Sequence, residues 1–132
     1  MKNFLIKGGE MTWMGKHLIL ELWGCKGEVL NSEMLIKGML EKAVEVSGTT
    51  LVELKTHKFN PQGLSAVALL KESYMSVHSW PEIGYAAIDI YTCVPYVRPE
   101  EVVSVVKQYL KPKKMHVLDF HRGDSYSDAE QK

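Results

Sequence analysis

Three alternating runs, "LSAVALLKE" (64–72), "YMSVHSW" (74–80) and "AAIDIYTC" (86–93), follow one another with a single turn signal among them, "PEIGY" (81–85). Side chains alternate across a strand, so period two commits this stretch to consecutive strands of a sheet. Short joins between consecutive strands favour antiparallel pairing. The join between the first two runs is unusual. "LKESYM" contains no Gly, Pro or Asn where a tight hairpin ordinarily needs one.

The rest of the chain fits around this block. "KHLILELWG" alternates as a first strand, with His17, Ile19 and Glu21 on one face and Leu18, Leu20 and Leu22 on the other. "NSEMLIKGMLEKAVEVSG" has helical spacing, with Leu35, Met39, Ala43 and Val46 as its apolar stripe, Asn31 or Ser32 as N-cap and Gly48 as C-cap. "TTLVELKTHKF" reads as a second strand and "NPQG" as a turn. "RPEEVVSVVKQYL" is a second helix opened by Pro99, with Val102, Val103, Val106 and Leu110 inward. "KKMHVLDF" is the last strand. The expected fold is α+β: a two-layer sandwich of a mostly antiparallel sheet with both helices on one face, in βαβ-like halves.

Three segments follow from these patterns. Residues 1–13, with their "KGGE" joint, read as a flexible extension, residues 14–123 as one domain, and the polar tail from Arg122 as frayed, with 124–132 beyond the domain. Sixteen basic and sixteen acidic residues cancel, without the basic excess of a nucleic-acid binder. The apolar runs are too short for a membrane helix, and the N-terminus lacks a secretory signal pattern, so the expected address is cytoplasmic. Two cysteines far apart, Cys25 and Cys93, make neither a disulfide framework nor a metal cluster.

Taken singly, the reactive groups have bland readings. Ser73 beside Glu72 is a common dipeptide; His78 in a strand is more often a core histidine bonded to a carbonyl; Cys93 is by base rate a small buried hydrophobe; Trp80 before Pro81 is packing at a turn. No nucleophile elbow, zinc-binding helix or phosphate-cradling glycine loop is present.

The combination is specific. "MGKHLILELWGC" and "THKFNPQGLSAVALLKESYMSVHSWPEIGYAAIDIYTC", with the spacing between them, resemble the prokaryotic S-adenosylmethionine decarboxylase proenzymes from about Met14 to Gly123. The resemblance implies self-cleavage between Glu72 and Ser73, giving a β chain of residues 1–72 and an α chain that begins with a pyruvoyl group made from Ser73. The serine hydroxyl attacks the preceding carbonyl, the amide becomes an ester, elimination leaves dehydroalanine, and hydrolysis gives the ketone. That ketone forms a Schiff base with the substrate amine and accepts the electrons left by carbon dioxide.

Residue roles are implied in the same way. His78 matches the histidine of proton transfer in processing, Ser65 a hydroxyl that assists processing, and Cys93 the proton donor to the α-carbon. Phe59 matches an aromatic that stacks on adenine, Glu82 a carboxylate for ribose hydroxyls, and Trp80 is a second aromatic wall facing the sulfonium. No metal is implied, and the partners are S-adenosylmethionine and a second copy of the chain, with Phe59 reaching the partner's site. The alternative on the same scaffold is a pyruvoyl-dependent arginine or ornithine decarboxylase, and the non-enzymatic alternative is a homologue that never cuts. The sequence departs from the family pattern at Tyr74, where most members carry His, and in "CVPYVRP", which lacks the usual glycine and acidic residue.

Overall fold

The computed structural model describes residues 14–93 and 99–123. The expected extension 1–13, the tail 124–132 and most of "CVPYVRP" lie outside the described residues. Six strands form one sheet: β1 (Gly15–Trp23), β2 (Leu51–Lys58), β3 (Leu64–Leu70), β4 (Tyr74–Trp80), β5 (Tyr85–Thr92) and β6 (Lys114–Arg122). Their spatial order is β2-β3-β4-β5-β1-β6, with every neighbouring pair antiparallel. Three helices accompany them: α1 (Gly27–Leu30), α2 (Glu33–Ser47) and α3 (Pro99–Leu110).

Period two sorts the two faces of the sheet. Leu18, Leu20, Leu22, Leu64, Ala66, Ala68, Met75, Val77, Ala86, Ile88 and Ile90 are buried in one core with residues of α2 and α3. The α+β two-layer architecture is therefore as the alternation predicts. α2 joins β1 to β2 and α3 joins β5 to β6; each crossover links strands that run parallel without being neighbours, the βαβ-like relation.

The sequence reading does not foresee the short helix α1, and further details differ from it. The buried stripe of α2 is Ile36, Met39, Leu40, Ala43, Val44 and Ser47. Leu35 is 39% exposed, because the helix is rotated by about one position from the expected stripe. In α3, Val105 joins Val102, Val106 and Leu110 inside, while Val103 is half-buried at the edge of the core. Arg122 is no frayed residue: it ends β6 opposite Gly15, and its carbonyl accepts from the Met14 N–H at 2.7 Å.

Ser32 is the N-cap of α2, its hydroxyl accepting from the Leu35 N–H at 3.2 Å. Asn31 has another task. Its side-chain oxygen accepts from the Gly63 N–H at 3.0 Å, and its carbonyl accepts from the Lys58 ammonium at 2.9 Å. These bonds pin the 59–63 turn against the α1–α2 joint. Gly63 closes that turn at φ +108°, a conformation side chains rarely adopt, and its carbonyl accepts from the Phe59 N–H at 2.8 Å.

The buried Ser79 hydroxyl locks this end of the sheet. It accepts from the Leu64 N–H at 3.1 Å and donates to the Leu30 carbonyl at 2.8 Å, joining β4, β3 and α1. Ser79→Ala strips partners from two buried backbone groups, so a loss of about 1–3 kcal/mol is expected. A urea titration reads it as a lower midpoint, against a control at exposed Ser104, where Ala should change stability by less than about 0.5 kcal/mol.

Candidate active site

The predicted site residues separate into two groups. At one end of the sheet, a pocket of about 270 Å³ is lined by Phe59, Gln62, Ser65, His78, Trp80 and Glu82, among others. Five of the eight predicted positions meet there. At the other end lie Glu72, Ser73 and Cys93.

The first group is built by register. Ser65 on β3 stands opposite His78 on β4, on the face away from the helices, and the Ser65 hydroxyl bonds His78 Nδ1 at 2.8 Å. His78 is exposed, so the reading as a buried core histidine bonded to a carbonyl does not hold. Trp80 is 41% exposed and Phe59 48%. Phe59 packs edge-on against His57, with ring centroids 4.6 Å apart. Trp80 lies 5.3 Å from Tyr85, which in turn lies 5.8 Å from Trp23, so the indole is braced from behind. The Tyr85 hydroxyl donates to Glu21 at 2.6 Å. Burial first, and then this bond, push the Tyr85 phenol up to about 12. Glu82 follows on a short 3₁₀ turn, Pro81–Ile83, and is exposed.

The second group surrounds the β3–β4 join. The Leu70 N–H donates to the Ser73 carbonyl at 2.9 Å, which closes a hairpin around Lys71 and Glu72. Thr50 brackets the turn: its carbonyl accepts from the Lys71 N–H at 3.0 Å and its N–H donates to the Glu72 carboxylate at 3.3 Å. Among the described residues Lys111 is the one non-glycine with positive φ, so the join carries no left-handed strain despite its unusual composition. Its peculiarity is a side chain. Ser73 is 4% exposed, and its hydroxyl is a buried polar group without a hydrogen-bond partner among the described residues. Such orphans are rare in native proteins and call for an explanation.

Cys93 follows β5 and is 3% exposed. The β4–β5 register sets Tyr74 opposite Tyr91, so the chain just before β4 and the chain just after β5 lie at the same end of the sheet. Beside them on the open face, the rings of His17, Tyr74 and Tyr91 pack together at 5.7–6.3 Å. His17 Nε2 lies 2.9 Å from Asp89, and its Nδ1 lies 3.3 Å from the Arg122 guanidinium. A guanidinium only donates, so Nδ1 accepts and the ring proton sits on Nε2, facing the carboxylate.

The two groups are far apart within one chain. Five residues of extended strand separate Ser73 from His78, which at ~3.3 Å each is roughly 16 Å. A serine, a histidine and a cysteine on neighbouring strands do not make one intramolecular cluster here. Sequence reasoning missed this separation, although counting along "SYMSVH" yields it. It also missed Tyr91, His17, Asp89 and Arg122, which carry no motif and come together only through register.

Comparison with known proteins gives a consistent picture. Residues 16–123 match the family model for S-adenosylmethionine decarboxylase. A relative from Methanococcus maripaludis named "S-adenosylmethionine decarboxylase proenzyme" is 50% identical over 113 residues, covering 86% of this chain and 93% of its own length. A protein of the same name from Caldanaerobacter subterraneus is 36% identical, over 86% of this chain and 91% of its own. The crystal structure of the adenosylmethionine decarboxylase from Aquifex aeolicus superposes with a TM-score of 0.81 at 29% identity, over 92% of this chain and all of that one.

The brace behind Trp80 has an alkaline signature. A phenol held near 12 keeps its proton while its unfolded counterpart, near 10, loses it, so Tyr85 contributes stability below pH ~10 that disappears as pH rises through ~12. Ultraviolet titration of phenolate should lose one late-titrating tyrosine in Tyr85→Phe and show it at lower pH in Glu21→Gln, while Tyr91, which burial also raises, persists. An unchanged count of late tyrosines in Tyr85→Phe would assign the raised value to another ring.

Proposed function

This chain belongs to the S-adenosylmethionine decarboxylase family, and from that premise we propose that it is a self-processing carboxy-lyase whose active site is completed by a second copy of itself. The carboxy-lyase activity on S-adenosylmethionine rests on the family match; nothing in the relatives favours the arginine or ornithine alternative. The product is an aminopropyl donor of the kind spermidine synthesis consumes.

The orphaned Ser73 hydroxyl carries the processing step. A buried hydroxyl with no competing partner among the described residues is free to attack the Glu72 carbonyl carbon. The peptide C–N bond breaks, an ester forms on Oγ, and the Ser73 amine takes up the proton. Loss of the Ser73 α-proton then expels the Glu72 carboxylate, and hydrolysis with loss of ammonia leaves the pyruvoyl group. A site that encloses this hydroxyl without bonding it fits that group. When formed, the pyruvoyl supplies a carbonyl that captures the substrate amine and accepts the electron pair released with carbon dioxide.

The chain's own residues do the rest. Ser65 fixes the His78 ring through Nδ1, holding the imidazole for the proton transfers of processing. Cys93 delivers a proton to the α-carbon after decarboxylation. Phe59 and Trp80 form aromatic walls for adenine and attract the sulfonium cation, while Glu82 accepts from the ribose hydroxyls.

The roughly 16 Å between Ser73 and His78 carries the dimer. No imidazole spans that gap, and a pocket of 270 Å³ is below the usual ligand-site range, as expected of half a site. The open face supports the same reading: Val67, Leu69, Trp80, Leu118 and Phe120 are each 41–48% exposed on it. A two-fold axis that lays the His78 end of one protomer on the Ser73 end of the other covers this face and builds two identical sites.

Complementation tests this arrangement. Ser73→Ala and His78→Ala chains should each stay whole at about 15 kDa when made alone. Made together, the His78→Ala chains should cut, because their Ser73 meets a partner's histidine, and up to roughly a quarter of wild-type activity should return, since half the dimers are mixed and each holds one good site. Cleavage of His78→Ala alone, or no cleavage in the mixture, would refute a shared site. Release of labelled carbon dioxide from arginine or ornithine, and none from S-adenosylmethionine, would overturn the substrate.

A further inference from the structure

We propose that Asn31 is a positioning residue for substrate binding: the α1–α2 joint is a frame that grips both sides of the pocket, and the Asn31 side chain holds the Phe59 turn within it, so that Phe59 and Trp80 stand ready to take one planar base between them. The proposal rests on the reading of these two rings as walls for adenine.

Two successive residues reach the two walls. On the Phe59 side, Asn31 Oδ1 accepts from the Gly63 N–H at 3.0 Å, and the Asn31 carbonyl accepts from the Lys58 ammonium at 2.9 Å. On the Trp80 side, the Leu30 carbonyl accepts from the Ser79 hydroxyl at 2.8 Å, and Ser79 stands between His78 and Trp80 on β4. The start of α1 meets the turn that carries Glu82: a Cβ on Gly27 would stand 2.9 Å from the Pro81 carbonyl oxygen. Helical bonds make these anchors one rigid piece. The Leu30 N–H donates to the Lys26 carbonyl at 3.1 Å and the Asn31 N–H to the Gly27 carbonyl at 2.9 Å.

The Asn31 side chain is available for this task because Ser32 caps α2. Its grip passes to Phe59 through one residue. Gly63 takes the Asn31 oxygen on its N–H and offers its carbonyl to the Phe59 N–H at 2.8 Å. Without the first bond the turn hangs from its strand ends, and the Phe59 ring, 48% exposed, keeps only its edge contact with His57. The processing groups do not depend on this grip. Ser65 and His78 are paired directly by the β3–β4 register and by their own 2.8 Å bond. Loss of the Asn31 oxygen is therefore a loss of substrate binding, with proton transfer left in place.

Equilibrium binding of 5′-methylthioadenosine, which carries the nucleoside end of the substrate without its amino acid, tests the frame on the full chain. Asn31→Ala should bind it about five- to tenfold more weakly, the size expected for one hydrogen bond. KM for S-adenosylmethionine should rise by the same factor while kcat changes less than about twofold. Asn31→Asp keeps an oxygen that accepts from the Gly63 N–H and should restore most of the affinity. Cleavage between Glu72 and Ser73 should run to completion in both variants. Because Asn31 acts through Phe59, the Asn31→Ala/Phe59→Ala double variant should bind no more weakly than Phe59→Ala alone. Unchanged binding in Asn31→Ala, no rescue by Asp, additive losses in the double variant, or a fall in kcat as large as the rise in KM overturns the proposal. So does loss of cleavage in Asn31→Ala, which would make Asn31 a residue of the fold. Normal binding in Phe59→Ala overturns the adenine-wall reading beneath it, and that outcome is visible without any Asn31 variant.

Discussion

Strand β4 sets the terms for the rest of the molecule. It is hydrogen-bonded to β3 on one side and β5 on the other, so it cannot bend to bring its ends together. Ser73 stands just before it and His78 near its far end. The pleat that buries Met75 and Val77 also fixes the spacing between the serine and the histidine. A chain of this size can afford a rigid six-stranded sheet or an intramolecular meeting of those two residues, but not both. The shared site proposed above follows from that rigidity.

The same pleat divides labour between the faces. Odd positions of β4 supply the core, while Tyr74, Ser76, His78 and Trp80 look away from the helices. The open face thus gathers polar and aromatic groups from all six strands, and its apolar residues sit among them. A face that carried only core-like residues would dock a partner without chemistry. One that carried only polar residues would not dock. In the proposed dimer, that mixture lets docking and site assembly be one event.

Much of this was legible in the sequence. Every strand was anticipated, β1 and β3 to β5 by alternation, Pro99 marked α3, and Gly48 the end of α2, because pleat, cap and φ are local properties. The rotated stripe of α2 was not legible, since Leu35 and Ile36 are equally apolar and tertiary packing chose between them. Arg122 looked like a frayed tail by its charge, and only pairing with Gly15 shows it belongs to β6. The site residues were legible through a resemblance, whereas Tyr91, His17 and Asp89 needed the register of three strands to become neighbours.

Tyr74 marks the point where local and long-range constraints meet. It follows the bond expected to break, yet its ring is committed to His17 and Tyr91 on the open face. A residue packed in this way anchors the downstream side of the junction, so Ser73 is held against β4 while Thr50 holds the Lys71–Glu72 turn upstream. An imidazole at position 74 would offer proton transfer in the same chain; a phenol packed among rings does not suit that role. On the proposed reading, the proton chemistry of cleavage falls to His78, which Ser65 orients at the opposite end of the sheet. Tyr74, on that reading, ties the downstream side of the junction to the open face and leaves proton transfer to the histidine of a second protomer.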